Sequence, residues 1–230
     1  DLDLYSAMGI NSDHECVSSE EARERVRRGF YVFMRQGSVA DNLADLLPAV
    51  TLKNFRRFCF CTDDKHPDDL LDHGGVDAAV KKAIQLGLDH AVALTMATHN
   101  AAACYRLASK GALSPGYDAD FFLFRDLNDL TAELVFKGGE IVAENGRLTH
   151  PTRQDFPVPD SLANSVNFAP FGIKDLAIWL YPNRKAHVMN LHAGNVLTTL
   201  TIEEAAVDEE GFFQAEVSRD LAQLCVIERL

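Results

Sequence analysis

Through residue 108, apolar runs of strand length alternate with segments of helical periodicity. Asp1 to Ala7 reads as the end of a helix closed at Gly9, a C-cap position. Ile10 to Cys16 starts as a short strand and breaks into Asp13, His14 and Glu15. Ser18 and Glu21 are spaced as a capping box for a helix that runs through Arg28 and stops at Gly29. Phe30 to Met34 is a second apolar run, and after Arg35-Gln36-Gly37-Ser38 the pattern predicts an amphipathic helix from about Val39 to Leu47. The third strand is Arg57 to Thr62, which stops in Asp63-Asp64-Lys65-His66-Pro67-Asp68-Asp69. Val76 to Leu86 is helical, with Val76, Val80 and Ile84 on one face. Asp89 caps a helix from about His90 to Ala97, and Asn100 to Leu107 continues helical. Such alternation implies parallel strands joined by right-handed crossovers.

Beyond residue 108 the pattern changes. Gly111, Pro115, Gly116, Gly138, Gly139 and Gly146 punctuate the short apolar runs Ala119 to Phe124, Ala132 to Phe136 and Glu140 to Ala143, an antiparallel β signature. Asn145-Gly146 is a hairpin turn signal. Residues 149–160, rich in Pro, Thr and Asp, read as a linker. From Phe171 a third region of mixed strands begins, with Asp175 to Tyr181, Val196 to Ile202 and Phe212 to Val217 as candidates. The fold class expected is therefore α/β followed by β, with no internal repeat and no Gly-rich phosphate loop.

Composition narrows the partners. The 230 residues carry a formal charge of -12, which would be repelled by nucleic-acid backbones and anionic membranes. A neutral small molecule or a cation held by carboxylates fits better. No run approaches the length of apolar sequence needed to span a bilayer. The five cysteines form no C-x-x-C pair, which suits a reducing cytoplasm. The chain starts at Asp1 and ends on the apolar Leu224-Cys225-Val226-Ile227 run, so a piece of a longer protein is expected.

Two strand ends share one layout, Ser12-Asp13-His14-Glu15 and Thr62-Asp63-Asp64-Lys65-His66. Parallel strands would bring both to the same face of the sheet. Imidazole and carboxylate are the ligands that borderline divalent ions take, and a catalytic site leaves one position open for water. Two protein ligands are too few for a catalytic metal, so others would have to come from elsewhere. The competing reading is an acidic loop that caps the next helix, with His14 as a surface residue. His73, His90, His99, His150, His187 and His192 show no spacing of this kind and read as structural or exposed. By the period of two, Cys59 and Cys61 face the same side as Asp63, which points to packing rather than thiol chemistry. The H-x-E and P-C-x-x-C signature of zinc nucleobase deaminases is absent.

Three stretches together resemble the bacterial adenine deaminases of the amidohydrolase superfamily: Gly9 through Cys16, Gly37-Ser38 after a strand, and Cys61 through Leu71. Met96 through Ala102 is similar to the helix after the last barrel strand of that family. Gly111 through Asp120 and Val135 through Val142 are similar to its following β-sandwich. The resemblance implies the C-terminal part of a metal-dependent (β/α)8 barrel, about strands 6 to 8, over residues 1–108. It further implies a β-sandwich segment over 109–150 and part of a C-terminal α+β domain over 151–230. The activity implied is hydrolysis of adenine to hypoxanthine and ammonia, with manganese or iron, binuclear in the intact parent. By the same resemblance His14 is a metal ligand, and Asp63 contacts the metal and shuttles a proton. Glu15 and Asp64 are further catalytic candidates, while Asp13 and His66 would contact substrate or orient the ligands. The family's His-x-His of strand 1, its bridging carboxylate and its strand-5 histidine have no counterpart here. The chain alone is therefore expected to be inactive, whereas the parent would be a cytoplasmic enzyme, possible as a homo-oligomer. Another amidohydrolase acting on a different purine or cyclic amide, or a non-catalytic remnant module, are the alternatives.

Overall fold

The computed structural model describes residues 1–150, 157–163 and 165–228. The chain divides into two compact units, residues 1–151 with 192–196, and residues 152–191 with 197–230.

The first unit opens with helix α1 (Leu2–Ala7), strand β1 (Ser12–Asp13), helix α2 (Ser19–Arg27) and strand β2 (Tyr31–Arg35). Ser18 caps α2 by accepting from the Glu21 N–H at 3.3 Å. Glu21 does not return the bond to Ser18, as a capping box would, but reaches Val17 N–H at 2.8 Å. Gly9 and Gly29 follow α1 and α2 with positive φ of 87° and 88°, the left-handed exits expected of C-cap glycines. Helix α3 (Leu43–Leu46) is far shorter than the sequence predicts and runs into a 3-10 turn, Leu47–Ala49. The reason lies in the preceding loop, where Val39 and Ala40 give their N–H groups to the Asp64 carboxylate instead of to a helix.

Strand β3 (Phe58–Cys61) is followed by helix α4 (Pro67–His73), which the apolar pattern missed. Pro67 in the first turn, with Asp68 and Asp69 beside it, was its signal. Helices α5 (Val76–Gln85), α6 (His90–Ala97) and α7 (His99–Cys104) complete the helical part. Asp89 caps α6 as expected, accepting from Val92 N–H at 3.1 Å.

The sheet order is β1-β2-β3, all parallel, with Phe33 opposite Cys59 and Arg35 opposite Cys61. One face carries Val32, Met34, Phe58 and Phe60 into a core shared with α2, α3, α5 and α6. Each such buried side chain contributes on the order of 1.5–3 kcal/mol. On the other face Phe33 and Cys59 pack against Cys104 of α7, with Tyr31, Cys61 and Ala101 beside them. Asn100 holds this layer in place: its Nδ2 donates to the Phe55 and Phe58 carbonyls, both at 2.8 Å.

The rest of the first unit is an antiparallel meander of β4 (Phe121–Leu123), β5 (Leu134–Lys137), β6 (Glu140–Glu144) and β7 (Arg147–Leu148). Asn145 and Gly146, at φ 48° and 77°, form the turn between β6 and β7 that the sequence announced.

In the second unit, β8 (Lys185–Leu191) pairs antiparallel with β9 (Thr198–Glu204). The expected strand over Val196 to Ile202 is thus displaced by two residues, and its partner β8 was not anticipated. Asp175 to Tyr181 is not a strand. Asp175 instead accepts from the Gly172 N–H at 2.7 Å and closes a 3-10 turn over Ile173–Leu176. Phe212 to Val217 makes single bridges, Trp179 with Phe212 and Val207 with Phe213, rather than a ladder. Of the expected linker, residues 151–156 lie outside the described residues, as does Arg229 at the chain end.

Candidate active site

The C-terminal ends of β1 and β3 flank that of β2, so the parallel topology brings the two acidic clusters together. His14 Nε2 lies 3.5 Å from Glu15 Oε1 and 3.9 Å from Asp63 Oδ1. Between them stands a residue that sequence reasoning left out, Arg35 at the end of β2. Arg35 is 1% exposed, yet its Nη1 meets Glu15 Oε2 at 2.7 Å and Asp63 Oδ2 at 3.4 Å. Its Nη2 donates to the carboxamide oxygen of fully buried Asn42 at 2.9 Å. An arginine that ends an apolar run reads as the strand's solvated terminus, and only the pairing of three strands reveals otherwise.

Asp63 sits two residues beyond β3 with φ 48°, a left-handed conformation that aspartate tolerates better than most residues. Burial, and after it the negative charge of Asp63, pushes the Cys61 thiol up to about 12. Cys59 is likewise pushed up to about 12, by burial and then by Cys104. Both cysteines therefore pack as apolar residues, as the strand periodicity implied.

The remaining candidates occupy different positions. Asp13 turns away from the cluster. Its Oδ1 accepts from Glu15 N–H and its Oδ2 from Arg25 Nε, both at 2.8 Å. Burial would raise its carboxyl, but the Glu15 and Arg25 hydrogen bonds outweigh that and hold it below the ordinary range. Asp64 points into the β2–α3 loop, where its Oδ2 accepts from Val39 and Ala40 N–H at 3.0 and 3.2 Å. Ser38 returns the contact, accepting from His66 N–H at 2.8 Å and donating to Asp69. Lys65 donates to Gln36 at 2.9 Å, so the two loops interlock through five side chains, Asp64, Ser38, Asp69, Lys65 and Gln36. Asp64 through its carboxylate and His66 through its backbone N–H thus tie the two loops together. His66, Asp68 and Asp69 also bring one donor atom each within 4.8 Å of one another at the start of α4, with His66 and Asp68 exposed.

The oxygens of Glu15 and Asp63 that Arg35 leaves free, with His14 Nε2, are imidazole and carboxylate donors of the kind that suits a borderline divalent ion. The donor chemistry fits a metal, and the donor number falls short of a closed shell.

Residues 7–142 match the model of the amidohydrolase family, well over half of the chain. The chain belongs to the amidohydrolase family. Among curated amidohydrolase relatives, an adenine deaminase of Geobacillus kaustophilus is 47% identical over 229 residues, 99% of this chain and 40% of that protein. One from Halalkalibacterium halodurans is 41% identical, over 99% of this chain and 39% of that protein. The chain spans about 40% of the length of these relatives. A solved structure, the β-aspartyl dipeptidase of Fervidobacterium islandicum, is 20% identical over 59% of this chain and 39% of that one, with a TM-score of 0.47. Among the described residues, no helix is long and apolar enough to cross a membrane.

Proposed function

We propose that this chain is the C-terminal part of an adenine deaminase, which converts adenine and water to hypoxanthine and ammonia. In this reading residues 1–108 supply about strands 6 to 8 of a (β/α)8 barrel, 109–150 a β-sandwich segment, and 151–230 part of a C-terminal α+β domain. The observation that supports it most is the meeting of His14, Glu15 and Asp63 at the ends of parallel strands, in a chain 47% identical to a protein named adenine deaminase.

His14 Nε2 and Asp63 Oδ1 would hold a divalent ion, manganese or iron. When bound, such an ion supplies a water whose pKa is lowered towards neutrality. Asp63 would also take a proton and pass it to the leaving amine, the work of a carboxylate that can reach both. Glu15, on the exposed side, would contact the substrate or orient the ligands. The free thiols of Cys16, Cys59, Cys61, Cys104 and Cys225 suit a cytoplasmic enzyme.

Ammonia release from adenine and guanine, and ring opening of a hydantoin followed by chromatography, measured on the full-length manganese- or iron-loaded protein, test this reading. Adenine is expected to be the substrate, and Asp63→Asn to abolish turnover. Turnover of guanine or hydantoin without adenine would overturn it. The 230-residue chain alone is expected to release no ammonia, because most of the ligands are supplied by other residues of the intact barrel.

A further inference from the structure

The geometry points to Arg35 as the positioning residue of this site: one buried guanidinium nitrogen sets the rotamers of both Glu15 and Asp63 and so leaves one oxygen of each directed at His14. The inference rests on the adenine deaminase reading for its chemistry, but its geometry stands apart from that reading.

A guanidinium that is 1% exposed needs its charge answered by partners. An arginine serving stability alone gains most from a two-pronged fork on a single carboxylate. Arg35 does something else. Nη1 is divided between Glu15 Oε2 at 2.7 Å and Asp63 Oδ2 at 3.4 Å, which arrive from the two flanking strands. Nη2 is anchored on Asn42 at 2.9 Å, which fixes the plane of the group. The second oxygen of each carboxylate is then the one facing His14 Nε2, at 3.5 and 3.9 Å. Without the cation, two carboxylates beside one another would repel and rotate apart. The Glu15 side chain is 61% exposed and that of Asp63 35%, against 1% for Arg35, so packing constrains Glu15 little and the buried guanidinium is the fixed partner of both. Their orientation is therefore supplied from below, by Arg35. Lysine is a poor replacement, because a point charge on a flexible stem cannot meet two strands and Asn42 in one plane.

The test uses the full-length protein and the variants Arg35→Lys and Arg35→Met. Direct titration with manganese, read by its electron paramagnetic resonance, is the readout that does not depend on activity. Arg35→Lys is expected to weaken manganese binding roughly 10- to 100-fold, the range usual for residues that orient metal ligands. Adenine turnover should fall in kcat by about the same factor, with KM changed less than about threefold. Combined with Glu15→Gln, the loss should be less than the product of the two single losses, since both act on one carboxylate. Arg35→Lys keeps the charge, so it answers the question even where Arg35→Met does not fold. Unchanged manganese affinity in a folded Arg35→Lys protein overturns the inference, and so does a wild-type protein that binds no manganese. A wild-type protein that binds manganese but deaminates no adenine overturns the adenine reading alone, and the titration still decides Arg35.

Discussion

Replacing Gly37 with alanine would set its new methyl 1.7 Å from Asp64 Oδ1 and 3.0 Å from the Ala40 carbonyl. Gly37 has no positive φ, so the backbone itself accepts alanine. At such a position Gly→Ala ordinarily stabilises by about 0.4–1 kcal/mol, by restricting the unfolded chain. The opposite sign is expected here. Asp64 must withdraw, and the two N–H groups of Val39 and Ala40 lose their charged acceptor. Val39 is exposed and its N–H can turn to water, but Ala40 is 1% exposed and its N–H cannot easily do so. Leaving one buried donor unsatisfied costs about 1–3 kcal/mol. The net expectation is a destabilisation of roughly 1–2 kcal/mol after the chain-entropy gain.

Urea unfolding followed by far-UV circular dichroism measures it, since every α-helix among the described residues falls between Leu2 and Cys104. Tryptophan emission would miss the event, because the only tryptophan, Trp179, belongs to the second unit. In an Asp64→Ala background the clash is gone, and Gly37→Ala should become neutral or stabilising. A stabilising Gly37→Ala in the wild-type background, or an equal cost in both backgrounds, would refute the interlocked-loop account.

Asn100→Ala should cost about 2–3 kcal/mol in the same assay, because it strips two buried carbonyls of their donor, whereas substitution of exposed Asn128 should cost little. Asp13→Asn should lower stability at pH 7 by about 1–2 kcal/mol. The Asp13 carboxyl is held below its usual 3.8, so its contribution is fully present above that value and is lost as pH falls through the folded value. Wild type and Asp13→Asn should therefore converge in acid, and a gap that persists there would contradict the Arg25 pairing. Iodoacetamide at pH 8, followed by mass spectrometry, should label exposed Cys225 well before Cys16, Cys59 and Cys61. Those three are pushed up to about 12, which leaves about one thiolate in ten thousand at that pH. Early labelling of Cys61 would show that its strand end is open.

The three parallel strands were legible because each is an apolar run bounded by glycine, capping residues or charge, and such local signals survive tertiary context. Helix α6 was legible for the same reason, through Asp89. Helix α3 was not, because what shortens it is Asp64, which lies more than twenty residues away in sequence. In the second unit, β8 puts Met189 and Leu191 on its exposed face beside Lys185 and His187, and Asn190 on the covered one, so the polar–apolar alternation that marks a half-buried strand breaks in its second half. Asp175 was read as strand when its side chain was closing a turn on Gly172. At the site, His14, Glu15 and Asp63 could be named from composition at strand ends and from family resemblance. Arg35 and Asn42 could not. Their role exists only once β2 lies between β1 and β3, a fact of pairing that no local pattern contains.

The side on which Arg35 emerges also bears on how the sheet assembles. Along β2, Val32 and Met34 enter the helical core while Tyr31, Phe33 and Arg35 take the opposite face. A slip of one residue in β2 would exchange those sets and drive a guanidinium into the layer of Leu43, Leu46 and Met96. Stranding a charge in that way costs several kcal/mol, where exchanging one apolar residue for another would cost far less. The arginine thus acts as an error check on strand alignment, since an incorrectly threaded sheet would bury its charge unpaired.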